Sequence, residues 1–313
     1  KTGAFKARGA VNAVRAIIAA EPGVKVFVTH SSGNHGQALA FACRRFARTA
    51  RVVVPNDAPA VKVAGLRRLG AEITFCEPNQ KAREAACAQV LANAGGHAVA
   101  RLLHPYDDPL VIAGQGTIGV ELLEEARRRG ERVDTVIVPV GGGGLISGVA
   151  TAVKAIDPSV RVIGAEPLMA DDAARSYHDP SKPTAPLPHR PGCPNTIGDG
   201  LRAGLSARTL AHLRARVDDV VAVAEDDMRT VMERVLGDLK LVIEPSAAVG
   251  AAVALLPQYR KHLKGSRHVA VVLCGGNVDL RKIPSDYMLP PVDAAAGSER
   301  AATRTTSQST SKL

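Results

Sequence analysis

Short runs rich in valine, isoleucine and alanine recur from one end of the chain to the other, separated by stretches whose apolar positions keep a helical spacing. The runs at 24–29, 50–55, 72–76, 97–103, 135–140, 161–165, 220–224 and 269–274 predict strands. The stretches between them predict helices over 58–69, 80–93, 117–129, 145–156, 226–239 and 247–262, with Gly70 and Gly130 as stops. Near-continuous apolar strands alternating with helices form parallel sheets covered on both faces, so the expected class is α/β. Ligands of such sheets sit beyond the carboxyl ends of strands. The loops after Thr29, Val140 and Cys274 all occupy that position. The segment 179–195 carries six prolines and no periodicity and is expected to be a long surface loop.

Composition narrows the class. With 313 residues, 46% of them hydrophobic, the chain can bury a large core and is long enough for two domains. The net charge of +10 is spread along the chain, and aromatic residues make up only 3%. That fits a basic enzyme suited to anionic cofactors better than a nucleic-acid surface, so no nucleic acid is expected as a partner. Cys43, Cys76, Cys87, Cys193 and Cys274 are far apart, which argues against a zinc site or a disulfide framework and fits a reducing compartment. No apolar run reaches the length of a membrane span and no signal peptide is visible, so no membrane partner is expected. From about residue 290 the chain is rich in Pro, Ala, Ser and Thr, and 289–313 is expected to be a disordered tail. It ends in Ser311-Lys312-Leu313, a peroxisomal address read by an import receptor; a cytoplasmic location is the alternative.

Three segments carry candidate chemistry. Lys6 lies in Lys1-Thr2-Gly3-Ala4-Phe5-Lys6-Ala7-Arg8-Gly9-Ala10, followed by Ser31-Ser32-Gly33-Asn34-His35-Gly36 and by Gly141-Gly142-Gly143-Gly144. The glycine run follows a predicted strand and opens a predicted helix. Without Cβ atoms its amide N–H groups can converge on an anion, helped by the helix dipole. It is neither a Walker loop nor a dinucleotide fingerprint, and a small phosphate ester suits it better. A lysine able to form a Schiff base, a polar-glycine loop and a phosphate cradle are together the parts that hold pyridoxal phosphate.

These segments resemble the fold-type II pyridoxal-phosphate enzymes of the serine racemase and serine/threonine dehydratase group. The likeness runs from Lys1 to about Leu280, and includes Ile112-Ala113-Gly114-Gln115-Gly116-Thr117 and Cys274-Gly275-Gly276-Asn277. It implies a tryptophan synthase beta-like fold of two three-layer α/β/α domains. Residues 1–27 and 100–288 would form the large cofactor-binding domain and 28–99 the small one. The lysine motif has Ala4 where serine is usual, and starting at Lys1 implies an absent upstream segment that would pack on the large domain.

Residue roles follow from the same resemblance. Lys6 would carry the cofactor and act as base at the substrate Cα, with Phe5 beside it. Asn34 would hydrogen-bond the ring hydroxyl, Gly141, Gly142, Gly143 and Gly144 would hold the phosphate, and Cys274 would face the pyridine nitrogen. Ser31, Ser32, Asn34 and His35 would bind the substrate carboxylate. Ser32 would also move the second proton on the face opposite Lys6, which favours racemisation. His104-Pro105-Tyr106-Asp107-Asp108-Pro109 is closer to the dehydratase form, and its Tyr106 leaves nucleotide activation open. Glu166, Ala170 and Asp172 would hold Mg²⁺ or Ca²⁺. Arg83, Asp199, Lys240 and Glu244 match positions near the site. The implied activity is racemisation of L-serine, or elimination of water from L-serine or L-threonine to a 2-oxo acid and ammonia, by a homodimer. A dedicated L-threonine dehydratase, a truncated non-catalytic homologue and, more remotely, a sulfur-transfer enzyme remain as alternatives.

Overall fold

The computed structural model describes residues 1–288 apart from Ser32 and Pro59. The expected disordered tail and its terminal Ser311-Lys312-Leu313 lie outside the described residues. Within them, every predicted apolar run contains a strand. The strands are β1 (Val26–His30), β2 (Thr49–Pro55), β3 (Glu72–Cys76), β4 (Ala100–Leu102), β5 (Thr135–Pro139), β6 (Arg161–Pro167), β7 (Asp219–Val223) and β8 (Val269–Val271). They build two four-stranded sheets, ordered β3-β2-β1-β4 and β7-β6-β5-β8, in which every pairing is parallel. All five residues of β5 and the last six of β6 are buried. Burial on both faces removes the alternation a one-sided strand would show, which is why these strands read as unbroken apolar runs.

The two sheets are wound alike. Each starts on an inner strand, adds two strands outward, then returns to the other side of the first. The order reverses between β1 and β4 and again between β5 and β8. Loops leaving neighbouring strands diverge at such a point and leave a crevice beyond the carboxyl ends. β4 pairs with β1, with Val26 opposite Ala100. The first sheet therefore draws its edge from beyond residue 99, and β1 starts before residue 28.

The helices are α1 (Lys6–Ala20), α2 (Asn34–Arg45), α3 (Ala60–Arg68), α4 (Gln80–Asn93), α5 (Pro109–Arg128), α6 (Gly144–Ile156), α7 (Asp172–His178), α8 (Ala207–Arg216), α9 (Glu225–Leu239) and α10 (Pro245–Leu255). Four of these, α1, α2, α7 and α8, go beyond the helices that periodicity predicts. α5 begins eight residues before its predicted start. Asp108 caps it by accepting from Leu110 N and Val111 N, and Pro109 takes the first helical position, where its missing N–H costs nothing. α10 ends before its predicted limit because Pro257 cannot continue it, and the chain proceeds as a 3-10 turn over Pro257–Leu263.

Glycines inside α5 look like breakers in sequence but serve close packing. A Cβ on Gly114 would lie 2.6 Å from Gly9 Cα in α1, and one on Gly148 in α6 would lie 2.2 Å from Ile112 O in α5. α5 thus seats α1 and α6 at backbone contact. These are the helices that begin at Lys6 and at the end of the glycine run.

Candidate active site

Both order reversals face one cavity of about 1330 Å³, lined by Lys6, Ser31, Asn34 and Arg83 from one side and Gly142, Glu244, Cys274 and Asn277 from the other. α2 starts at Asn34, shortly after β1, and α6 starts at Gly144, shortly after β5. Two helix N-termini are therefore directed to the same region, which favours bound negative charge.

Lys6 is held at its floor. Phe5 N donates to Cys274 O at 2.9 Å, Gly276 N donates to Gly3 O at 2.9 Å, and Ala4 bridges to Gly275. The segment preceding Lys6 is thereby stitched to the strand-end loop that carries Cys274. Lys6 Nζ donates to Pro105 O at 2.7 Å and lies 5.1 Å from the Phe5 ring centroid. Burial pulls its amine from 10.5 down to about 8, with Cys274 and Glu244 opposing the fall. A lysine so placed is substantially neutral at mildly alkaline pH, as attack on an aldehyde requires.

Cys274 Sγ points at Ser246 O at 3.8 Å, and burial pushes the thiol strongly upward. It is therefore a neutral group. His35 is turned inward: the residue is 3% exposed and its Nε2 is 3.3 Å from Leu103 O. Burial and then the Lys6 charge hold its imidazole well below 6.5, so the ring is neutral. Asn34 Nδ2 donates to both carboxylate oxygens of Glu244, at 2.8 and 3.1 Å, and its Oδ1 accepts from Asn277 Nδ2 at 2.8 Å. Burial pushes Glu244 up to about 7, with the Asn34 hydrogen bond opposing the rise and Asp199 adding to it. Ser31 Oγ accepts from Gly33 N at 3.3 Å. Ser32 lies outside the described residues.

The glycine run is tight as well as bare. Gly143 adopts φ +83°, and a Cβ on Gly142 would sit 2.6 Å from three atoms of the Tyr106 ring. Tyr106 also stacks edge-on against His104, with centroids 4.7 Å apart. The segment His104–Asp107 thus touches both the lysine, through Pro105 O, and the glycine run, through Tyr106. A bare, amide-rich turn at a helix start, a buried amine of lowered basicity and a neutral thiol together fit pyridoxal phosphate.

The other candidates are placed unequally. Arg83 lines the cavity with its Nε buried and unpartnered. Asp199 pairs with Lys62 across the cavity. Lys240, expected near the site, is instead exposed at the end of α9, where it caps the helix at φ +56° and donates to Gly237 O. Glu166 and Asp172 are each 1% exposed. Glu166 accepts from Ala173 N and Ala174 N; Asp172 accepts from Leu205 N and lies 3.3 Å from His189 Nδ1. Burial, and then the charges of Asp172 and Asp171, push the Glu166 carboxyl well above the usual range. Ala170 is buried in the turn between them. Among the described residues, no group of three or more His, Cys, Asp and Glu side chains is arranged to hold a metal ion. The expected set has only two carboxylates and a backbone carbonyl, and its hard, buried oxygens fit a divalent cation in kind.

Comparison with known proteins agrees with this geometry. The family model described as pyridoxal-phosphate dependent enzyme matches residues 1–275. The chain belongs to that family. A serine racemase of Bos taurus is 42% identical over 285 residues, covering 90% of this chain and 81% of the relative. The maize serine racemase structure superposes with a TM-score of 0.82 at 37% identity, covering 97% of this chain and 86% of that one. The threonine deaminase structure from T.th. gives 0.76 at 39% identity, covering 90% and 85%. In this pyridoxal-phosphate dependent enzyme, then, the fold expected from the sequence is the fold found.

The shift at Lys6 sets a pH dependence for the cofactor-free protein. Its amine titrates near 10.5 when unfolded and near 8 when folded, so the folded state binds fewer protons between those values. The resulting penalty is complete below pH 8 and disappears as the pH rises through 10.5. Lys6→Met should therefore be more stable than the parent at pH 7, by up to roughly 3 kcal/mol, and the difference should shrink by about pH 10. Urea melts at both values test this; a difference independent of pH contradicts it.

Proposed function

We propose that the protein is a pyridoxal-phosphate dependent serine racemase and L-serine or L-threonine ammonia-lyase. The observation that carries this is the buried amine of Lys6, which shares one cavity with the neutral Cys274 and with Gly142 of the bare turn, in a chain 42% identical to a serine racemase. When bound, the pyridoxal ring supplies the sink for electrons released at the substrate Cα. Cys274 would hold the ring at its nitrogen, and a neutral thiol there would not force that nitrogen to protonate, which suits racemisation and elimination better than transamination.

The chain's own groups supply the rest. Lys6, with a proton affinity lowered by burial, holds and returns a proton at Nζ near working pH. The backbone N–H groups at the start of α6 hold the phosphate. Arg83, with its unpartnered Nε at the cavity wall, and Ser31 are placed for the substrate carboxylate. His35, a neutral ring with Nε2 3.3 Å from Leu103 O, lines the same cavity, and the backbone N–H groups at the start of α2 contribute to carboxylate binding. Ser32 is the second proton carrier, an assignment that rests on its motif. Loss of the β-hydroxyl gives the 2-oxo acid and ammonia, whereas return of a proton on the opposite face gives the D-isomer. Likeness to the T.th. threonine deaminase and the dehydratase-like segment at Tyr106 favour a substantial elimination branch.

Incubation with L-serine should yield both D-serine and pyruvate. Ser32→Ala should reduce D-serine formation by about a hundredfold or more, the lower end of a general acid–base contribution, and leave most pyruvate production, as measured by chiral chromatography and a coupled pyruvate assay. Equal loss of both products contradicts the role given to Ser32.

A divalent cation, Mg²⁺ or Ca²⁺, is proposed at Glu166, Asp172 and the carbonyl of Ala170, where it would relieve the repulsion between two buried carboxylates. At roughly a hundredfold excess over its dissociation constant it should raise the melting temperature by about 4–5 °C. Asp172→Asn should lose that response, and a wild-type protein that melts identically with the ion and with excess chelator contradicts the site. From the sequence alone we also propose a homodimer, testable by sedimentation, and peroxisomal import through Ser311-Lys312-Leu313. Deleting Leu313 from a fluorescent fusion should disperse it; unchanged localisation contradicts the address.

A further inference from the structure

Glu244 is the N-cap residue of α10, yet its side chain caps nothing in that helix. Its carboxylate turns toward the cavity, where it receives Asn34 Nδ2 at 2.8 and 3.1 Å and Asn277 N at 3.2 Å. Asn277 completes the arrangement from the other side: its Nδ2 donates to Asn34 Oδ1 at 2.8 Å and to Thr2 O at 2.8 Å. Two glycines leave room for these side chains. A Cβ on Gly275 would meet Glu244 Oε1 at 2.6 Å, and one on Gly3 would meet Asn277 Oδ1 at 2.2 Å. Lys6, Cys274, Asp199 and Lys62 are the other ionisable groups acting on or near this carboxylate.

An asparagine amide can be turned over with little change of shape, exchanging a double donor for an acceptor. Here the choice is forced. A carboxylate can only accept from Asn34, and the Asn277 amide nitrogen can only donate to it. The two contacts fix Nδ2 on one side and Oδ1 on the other. A carboxylate can engage one amide hydrogen through both oxygens, which leaves the second hydrogen of Nδ2 for the cavity.

We propose that Glu244 and Asn277 are a positioning pair that locks the Asn34 amide so that it presents a donor, and not its carbonyl, to the ring oxygen of bound pyridoxal phosphate. The pair matters only where that cofactor occupies the cavity, as proposed above. It also divides the task between the two sheets. Asn34 follows β1 of the first, whereas Glu244 opens α10, which packs on the second, and Asn277 follows β8 of the second, so correct orientation requires both halves to be in place.

A double-mutant cycle on cofactor affinity tests this. Cofactor-stripped wild type, Glu244→Ala, Glu244→Gln, Asn34→Ala and the Glu244→Ala/Asn34→Ala double variant are titrated with pyridoxal phosphate, following absorbance and protein fluorescence. Glu244→Ala should weaken binding by about tenfold or more, as expected when a hydrogen bond to a charged partner is lost, and shift the absorption band of the bound cofactor. Glu244→Gln keeps an acceptor and should bind within about threefold of wild type with the band restored. The double variant should bind within about twofold of Asn34→Ala alone, because Glu244 acts through Asn34. Wild-type affinity in Glu244→Ala, failure of Glu244→Gln to rescue, or losses that multiply in the double variant would each overturn the proposal. Should Glu244→Ala not fold, Asn277→Ala takes its place in the same cycle, with the same supporting and contradicting outcomes. A wild-type protein that does not bind pyridoxal phosphate at all overturns the cofactor assignment itself, a result distinct from any failure of the pair.

Discussion

The structure turns on taking one amine out of water. A lysine side chain charged near neutral pH resists burial, and the chain commits to that cost at Lys6 by stitching residues 3–5 to 274–276 and seating α1 against α5 at glycine contacts. The amine donates to Pro105 O, and two buried acidic groups act on it at longer range. Neither contact pins it as a permanent ammonium ion. A group poised between charge states, beside a cradle for phosphate, is what imine chemistry with an aldehyde cofactor needs.

The winding of the sheets explains why these parts meet. Residues separated by more than two hundred positions converge because each sheet reverses its order next to its first strand, and the two reversals face each other. The loop after β1 brings Asn34, the loop after β5 brings the glycines, and the chain after β8 brings Cys274 and Asn277. Neither sheet alone holds a complete site. The Lys62–Asp199 pair and the Asn34–Glu244 hydrogen bonds join the halves, one near the mouth and one deeper. Proteins of this family with different activities share that frame, so activity is decided by the few side chains at its seam.

Much of this is legible in the sequence alone. The strands stand out because burial on both faces leaves them almost purely apolar, and the glycine run because few other arrangements place bare amides between a strand and a helix. What escapes has identifiable causes. α2 opens with Asn34-His35-Gly36, which reads as loop, and α8 is too rich in arginine to show an apolar stripe. The start of α5 is hidden because Gly114 and Gly116 look like breakers until their contacts with α1 and α6 are known. At the site, His35 lines the cavity as its motif suggests, yet it is only 3% exposed and its Nε2 lies against Leu103 O, a contact that no sequence pattern announces. Lys240 matches a family position yet is exposed at a helix end. The triad of Asn34, Glu244 and Asn277 spans separations of 210 and 243 residues, and only the folded chain brings it together.

The most direct test of the account is to identify the residue that joins the cofactor. Wild-type protein saturated with pyridoxal phosphate is reduced with borohydride, digested and mapped by mass spectrometry. The added pyridoxyl mass should fall on the peptide carrying Lys6, and Lys6→Ala should show no labelled peptide despite unaltered folding. A label on a surface lysine such as Lys240, or equal labelling in the Lys6→Ala protein, would contradict the assignment of Lys6 and with it the mechanism built on its burial.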